Sequence, residues 1–356
     1  MGSDSGATRA FIGSFTSAGG PGITVAAVDG ESGALTALGA TDAVPDPSYL
    51  ALGRGTGPDG GVLYAVSETE DGAAAALDVT GDVPRPIDGT RPVDGGGPTH
   101  LALAGGHLLT ANYNSGSVTA LPVRADGSLG PAASVLRHEG SGPNPDRQRS
   151  PHAHQVLPDP SGNWVLSVDL GTDSVRICAL DPATGALRPH GETPLRPGTG
   201  PRHLAFHPAG GHAYVLNELE PTVTTCRWNA AAGVLEPVGE TPVLPDGASA
   251  DGDTVTYPSE VVVSHDGRFL WTANRGHDSI SVLALDGTGE RVAPVTTVDC
   301  GGHWPRDLAL DPTGRRLYAA NERSGDVTWF DIDPETGVPE RAGSLDVPAA
   351  SCVVFG

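Results

Sequence analysis

The chain carries two histidines one residue apart, His152 and His154, at the start of the apolar segment HAHQVL. If this segment is a β-strand, its period of two places both imidazole rings on the same side. Such a pair could transfer protons in catalysis, or bind zinc with a third ligand such as His100 or His203 from a neighbouring strand. Because the spacing defines no third ligand, we predict no metal site. A hydrogen-bonded role in the core is the alternative for at least one of the two.

The composition of the chain excludes several classes of function. All 21 basic residues are arginine, against 43 acidic residues, for a formal net charge of −22. A surface this acidic repels nucleic acids and anionic membranes, and without lysine neither a P-loop nor Schiff-base chemistry is possible. The sequence has no signal-peptide pattern and no apolar run of 18 residues. We therefore expect a cytoplasmic protein that uses no cofactor, with its four widely spaced cysteines reduced and buried.

Two short patterns alternate along the chain and define a repeat of about 51 residues. The first is a small residue or proline that opens an apolar strand, and the second is an apolar strand that ends in a polar pair. The first pattern occurs as PSYLAL, PTHLAL, HAHQVL, PRHLAF, PSEVVV, PRDLAL and ASCVVF. The second pattern ends at Phe15, Glu68, Tyr113, Leu170, Glu218, Arg275 and Glu322.

Each repeat has room for four strands, with turn signals such as DPSG and DPTG between them and no helical periodicity. This organisation predicts an all-β fold, a seven-bladed β-propeller with four antiparallel strands per blade. The C-terminal ASCVVF opens a blade that the N-terminal AFIGSF continues, so strands from both ends share one blade and close the ring. We predict a single domain over residues 8–356, with residues 1–7 as a disordered N-terminus or an expression remnant.

In such a blade, the innermost strand begins at the rim where the next strand ends, so both patterns place their polar residues at one mouth of the channel. The recurring Asn217, Asn274 and Asn321, with Asp169 in register, fit a structural role as caps of backbone groups in the following turn. Arg202, Glu218 and Arg275 instead put charges where other blades have Ser, Thr, Tyr or Leu. A charge at this place must be paired or functional. An ion pair between Arg202 and Glu218 within one blade would be the structural explanation.

The succession GSGPNPDRQRSPHAHQ, DLGTD, GPRHLAF, NEL and NRGHDSI resembles the seven-bladed lactonase family over essentially the whole chain. That family joins the propeller type of 6-phosphogluconolactonase with the fungal 3-carboxy-cis,cis-muconate lactonizing enzyme. The resemblance implies a metal-free site of one His, one Glu and two Arg, which fall on His154, Glu218, Arg202 and Arg275. The further substrate-binding residues that we predict are His100, Gln148, Arg149, His152 and Arg306. Gln148 and Arg149 lie with Arg147 on one loop, the covering loop, which we expect to cover the substrate.

This set of residues suits the chemistry of a lactone, which requires anion recognition and proton transfer. Arg202 and Arg275 can bind a carboxylate or phosphate and stabilise an oxyanion, while His154, Glu218 or both serve as general base. We therefore predict a carboxylic-ester hydrolase, a monomer acting on a small anionic lactone, with 6-phosphogluconolactone as the leading candidate. The alternatives are a lactonizing isomerase acting on an organic acid, and a non-catalytic propeller that binds a protein or peptide.

Overall fold

The computed structural model describes residues 8–54, 61–245 and 255–356. Residues 1–7, for which we predicted a disordered N-terminus or an expression remnant, lie outside the described residues. Seven antiparallel sheets form the blades of a seven-bladed β-propeller, which confirms the predicted fold. Six sheets have four strands, and in blade 2 the fourth position is divided between two short strands.

Within each blade the first strand lines the channel and the later ones follow it outwards. Blade 1 consists of Ala350–Phe355, Arg9–Ser14, Ile23–Val28 and Leu35–Thr41, and blade 2 of Leu50–Arg54, Gly61–Ser67, Ala73–Asp78, Arg85–Pro86 and Arg91–Pro92. Blade 3 consists of Pro98–Ala104, His107–Asn112, Ser117–Pro122 and Ser134–Arg137, and blade 4 of Ala153–Pro158, Val165–Asp169, Ser174–Leu180 and Leu187–Pro194. Blade 5 consists of Pro201–Phe206, His212–Asn217, Thr222–Asn229 and Val234–Pro242, and blade 6 of Tyr257–Val263, Phe269–Arg275, Ser279–Leu285 and Val292–Asp299. Blade 7 consists of Pro305–Leu310, Arg316–Asn321, Asp326–Ile332 and Pro339–Asp346, and two 3₁₀ turns lie at Thr16–Ala18 and Leu170–Thr172.

The two ends of the chain meet in blade 1, as predicted. The C-terminal strand is innermost and pairs with the N-terminal strand, with Phe11 opposite Val354. The innermost strands of neighbouring blades contact one another around the whole ring. Closing the ring in this way leaves no innermost sheet edge free to pair with another chain.

The apolar core is divided into seven clusters, one between each pair of neighbouring blades. In four blades an aromatic side chain of the second strand, and in blade 4 Trp164 just before that strand, also donates a hydrogen bond to a carbonyl in the outer part of the next blade. Tyr318, for example, donates to the Gly33 carbonyl at 2.7 Å and so joins blade 7 to blade 1. All four cysteines are buried free thiols, as predicted. In the described part of the chain, no helix is long and apolar enough to cross a membrane.

A bulge near the start of the innermost strand recurs around the ring. In blade 5, Pro201 lies opposite Asn217 and His203 opposite Leu216, so Arg202 is an extra residue without a partner. The same irregularity singles out Thr99, His154, Arg306 and Ser351 in other blades. A bulge of this kind re-aims the extra side chain. At this end of the channel, each bulge therefore directs one side chain away from the regular alternation of side chains between the two faces of its strand.

The recurring asparagines at the ends of the second strands are structural, but not in the way that we predicted. Asn274 donates from Nδ2 to Ser279 Oγ at 3.0 Å and Ser281 Oγ at 2.8 Å, both on the next strand. Asn112 and Asn217 make the same pair of bonds to hydroxyls, and Asn321 makes one. Their partners are therefore side chains and not the backbone of the turn.

Asp169 takes the asparagine position in blade 4 and does cap backbone groups. Its Oδ1 accepts from the amides of His152 at 2.8 Å and Thr172 at 3.1 Å, and its Oδ2 lies 2.6 Å from Nδ1 of His138. The carboxylate thus holds the start of the strand that carries His154.

Candidate active site

Glu218 lies at the centre of a cluster of arginines at the channel mouth. Its Oε2 is 2.8 Å from Arg275 Nη2 and 3.3 Å from Arg202 Nε, and its Oε1 is 2.5 Å from Arg147 Nη2. Glu218, Arg202 and Arg275 are less than 8% exposed. The structure thus brings together three of the predicted catalytic residues, and the predicted Arg202–Glu218 ion pair is present but belongs to this larger group.

The cluster combines residues from distant parts of the sequence. Arg202 is the bulge residue of blade 5, and Glu218 follows the second strand of the same blade. Arg275 ends the second strand of blade 6, and Arg147 comes from the loop before blade 4. Three guanidinium groups face one carboxylate, so the cluster carries excess positive charge that a bound anion would neutralise.

The protonation state of Glu218 follows from these neighbours. Burial raises the pKa of its carboxyl group, but the guanidinium groups of Arg275, Arg202 and Arg147 outweigh burial and lower the pKa to about 2. Burial, reinforced by the neighbouring Arg275, lowers the pKa of Arg202 to about 9. At neutral pH Glu218 is therefore a stable anion and a weak base, and Arg202 is still charged.

His154 occupies the bulge of blade 4, next to the bulge of Arg202. Its ring packs edge-on against Tyr113 and His203, with centroids 5.5 and 5.1 Å apart, and its Nδ1 is buried without a hydrogen-bond partner among the described residues. Burial and then the positive charge of Arg202 lower the pKa of this imidazole well below 6.5. His154 is therefore neutral at neutral pH, the form that a general base requires.

His152 supports the wall of the site. Its ring stacks on Tyr113 with centroids 4.4 Å apart, and its Nδ1 lies 2.9 Å from the Tyr113 carbonyl oxygen. The Tyr113 hydroxyl in turn accepts from Arg147 Nη2 at 3.3 Å. In the residues that the structure describes, no three His, Cys, Asp or Glu side chains are grouped as metal ligands. The rings of His152 and His154 both pack against Tyr113.

Two of the predicted substrate-binding residues are not at the cluster. Gln148 is completely buried, and its Nε2 donates to the Leu170 carbonyl and to Asp173 Oδ1, each at 2.8 Å. Gln148 thus lies inside the loop and away from the cluster, and its contact with a substrate stays a prediction. Arg149 has a side chain that is 77% exposed and lies 3.7 Å from Asp146 on its own loop. It contacts none of the clustered residues, and its neighbour Arg147 takes the place that we expected for it.

Besides His152, the two remaining predicted substrate-binding residues line the channel beside or below the cluster. Arg306, the bulge residue of blade 7, lies 3.2 Å from Glu322 and 3.7 Å from Glu68. His100 is one residue further along its strand than the bulge of blade 3, and its ring packs against His203 with centroids 5.3 Å apart. His100 is therefore at a deeper level than the arginines.

A second polar group at this deeper level was not predicted from the sequence. His203 Nδ1 lies 2.7 Å from Glu260 Oε2. Burial raises the pKa of Glu260 to about 7, and burial together with Glu260 raises the pKa of Asp307 well above 3.8. These residues occupy the same place in PRH, PSE and PRD of successive blades. The repeat therefore contained a signal that could have found them.

The comparisons with known proteins agree with this architecture. The family described as "Lactonase, 7-bladed beta-propeller" matches residues 9–355. The chain is 35% identical over 352 residues to a 6-phosphogluconolactonase of Bacillus subtilis, with 97% of each protein covered. Among solved structures, it resembles a periplasmic gluconolactonase of Pseudomonas aeruginosa, with a TM-score of 0.88, 30% identity and 98% of each chain covered. A protein from Lactobacillus plantarum superposes with a TM-score of 0.90 at 28% identity, covering 98% of this chain and 99% of the other.

Proposed function

The chain belongs to the seven-bladed β-propeller lactonase family, and from this premise we propose that it hydrolyses a sugar-derived lactone, with 6-phosphogluconolactone as the leading candidate. A lactone-hydrolysing enzyme is a carboxylic-ester hydrolase, which agrees with the class expected from the sequence. The observation that carries the proposal is the group of three guanidinium ions around Glu218, beside the neutral imidazole of His154. This arrangement suits an anionic substrate that must be attacked by water.

In the proposed reaction His154 acts as the general base. It takes a proton from a water molecule as the water oxygen attacks the lactone carbonyl, and the carbonyl oxygen becomes an oxyanion beside Arg202 and Arg275. When the intermediate collapses, the bond to the ring oxygen breaks and His154 returns the proton to this leaving group. The product is a hydroxy acid, which ionises in water, and the enzyme is regenerated.

We assign a different role to Glu218. Its low pKa makes it a poor acceptor of protons, whereas its three ion pairs orient the arginines. We therefore propose that Glu218 positions Arg202 and Arg275, and that Arg147 contacts the negatively charged group of the substrate. These assignments give proton transfer to His154 and orientation of the arginines to Glu218, a choice that the sequence alone left open.

A direct assay tests the substrate. Purified protein is incubated with freshly prepared 6-phosphogluconolactone, with D-glucono-1,5-lactone and with 3-carboxy-cis,cis-muconate, and spontaneous hydrolysis is subtracted. We expect the highest kcat/KM for 6-phosphogluconolactone. Turnover of the muconate alone would replace the proposal with the lactonizing alternative. Turnover of D-glucono-1,5-lactone alone would show that the substrate is a sugar lactone without a phosphate group.

The two arginines of the covering loop give a matched prediction for substrate binding. Arg147→Ala is expected to raise KM roughly 10- to 100-fold, since a hydrogen bond to a charged group contributes about 1.5–3 kcal/mol. Arg149→Ala, two residues away on the exposed side, is expected to leave KM within about twofold of the original value. Steady-state kinetics on 6-phosphogluconolactone measures both, and equal effects would contradict the proposed role of Arg147.

A further inference from the structure

The residue just before the proline or alanine that opens each innermost segment, such as Asp46 before Pro47 or Gly200 before Pro201, stands at the same mouth of the channel as the arginine cluster. In five of the seven blades this residue has a positive φ: 43° at Asp46, 58° at Gly97, 59° at Gly200, 66° at Trp304 and 54° at Ala349. Glycine adopts this left-handed conformation without steric cost, and aspartate tolerates it. The repeat therefore favours a small or short polar residue at this place.

Trp304 is the exception among the five. A bulky residue with a positive φ is an outlier, and the proline that follows it restricts its backbone further. At Gly97 and Gly200 an added Cβ would come within 2.7 Å of Asn114 and 2.4 Å of Leu219, so these neighbouring side chains would have to move. Blade 7 instead keeps the largest side chain in a strained conformation, which indicates a function for the indole.

The indole is held next to the arginine cluster. The guanidinium carbon of Arg323 stacks over the ring at 3.4 Å from the centroid, and that of Arg275 lies 5.7 Å from the same centroid. The backbone amide of Trp304 donates to Asp278 Oδ1 at 2.8 Å, which fixes the loop. The side chain is only half-buried, so part of its surface is open to solvent. A flat apolar surface thus stands beside the cation of Arg275.

We propose that Trp304 is a substrate-binding residue, against which the C–H face of the substrate's sugar ring packs while the arginine cluster binds the anionic and reacting groups. This inference rests on the proposed lactonase function and identifies the residue that contacts the sugar ring. A sugar ring has apolar C–H faces between its hydroxyl groups, and an indole supplies a large rigid contact area at little cost in conformational entropy. Stacking on Arg323 holds the ring in place for this contact.

Binding of two probes tests the inference without depending on turnover. D-Glucose 6-phosphate has a pyranose ring and a phosphate, whereas inorganic phosphate has no ring. In calorimetric titrations, Trp304→Ala and Trp304→Gly are each expected to weaken binding of glucose 6-phosphate about tenfold and to leave binding of phosphate unchanged. Trp304→Phe, which keeps an aromatic face, is expected to restore affinity to within about threefold. If the alanine and glycine variants bind glucose 6-phosphate as the original protein does, or if the original protein does not bind it, the inference is wrong.

Thermal melting separates this role from a purely structural one. Trp304→Gly is expected to melt above Trp304→Ala by about 1–3 °C, because only alanine retains a Cβ in the left-handed conformation. Ala349→Gly, at the equivalent place in blade 1, is the matched control, expected to melt higher than the original protein and bind glucose 6-phosphate equally well. Affinity that follows melting temperature across these variants would overturn the inference. Absence of lactone turnover by the original protein would instead contradict the proposed function.

Discussion

Replacing His154 with glutamine is expected to lower kcat for lactone hydrolysis by about 10²- to 10⁴-fold, the usual contribution of a general base. Glutamine approximates the size and polarity of imidazole but cannot accept a proton from water at neutral pH. The ion pairs of Glu218 do not involve His154, so the anion-binding cluster is left intact and KM is expected to change little. Steady-state kinetics at pH 7 measures both constants.

The pH dependence of kcat/KM, which reports the pKa values of the free enzyme, gives an independent test of the same residue. The base is active when unprotonated, so activity is present above the pKa of His154 and is lost as the pH falls through it. Because burial and the charge of Arg202 lower this pKa, we expect the acidic limb of the profile below pH 6.5. His190→Gln, exposed on the outermost strand of blade 4, serves as the control with unchanged kcat. A His154→Gln variant within about threefold of full activity would remove His154 from the mechanism.

The fold could be predicted from the sequence because every blade repeats the same physical requirement. Seven apolar strands that each open with a small residue or proline, followed by strands that end in a polar pair, leave few arrangements other than a ring of sheets. The fourth position of blade 2 departs from the pattern, since Arg85–Pro86 and Arg91–Pro92 each contain a proline that cannot donate to a strand partner. The repeat thus predicts a blade well and its interruptions poorly.

The site was predictable only where the repeat reaches it. Arg202, Glu218 and Arg275 lie at repeated positions, so register alone indicated that they converge. The loop before blade 4 lies outside the repeated patterns, so the sequence period did not indicate which of its residues faces inwards. The structure answers this through Gln148, whose buried bonds to Leu170 and Asp173 fix the loop and leave Arg147 directed at Glu218. The orientation of a residue that depends on tertiary contacts of this kind cannot be predicted from a repeated sequence pattern.

Glu218→Gln has the largest expected effect on stability. A pKa of about 2 in the folded protein, against 4.5 in an unfolded chain, corresponds to about 3 kcal/mol of stabilisation at neutral pH. The glutamine variant loses this contribution and leaves Arg202 and Arg275 buried without their anion, which is itself costly. Urea unfolding at pH 7 is expected to show a loss of about 3 kcal/mol. Glu192→Gln, whose exposed ion pair with Arg176 spans 3.3 Å, is expected to lose less than about 1 kcal/mol.

The sign of the pH dependence separates this explanation from simple loss of packing. Because the pKa of Glu218 is lower in the folded state, its contribution is complete above about pH 4.5 and disappears as the pH falls towards 2. The original protein should therefore lose stability over this range more steeply than Glu218→Gln, and the difference between them should shrink as the pH falls. A difference that stays constant from pH 7 to pH 3 would show that the substitution acts through shape and not through charge. The negative charge of Glu218 would then orient the arginines without stabilising the fold.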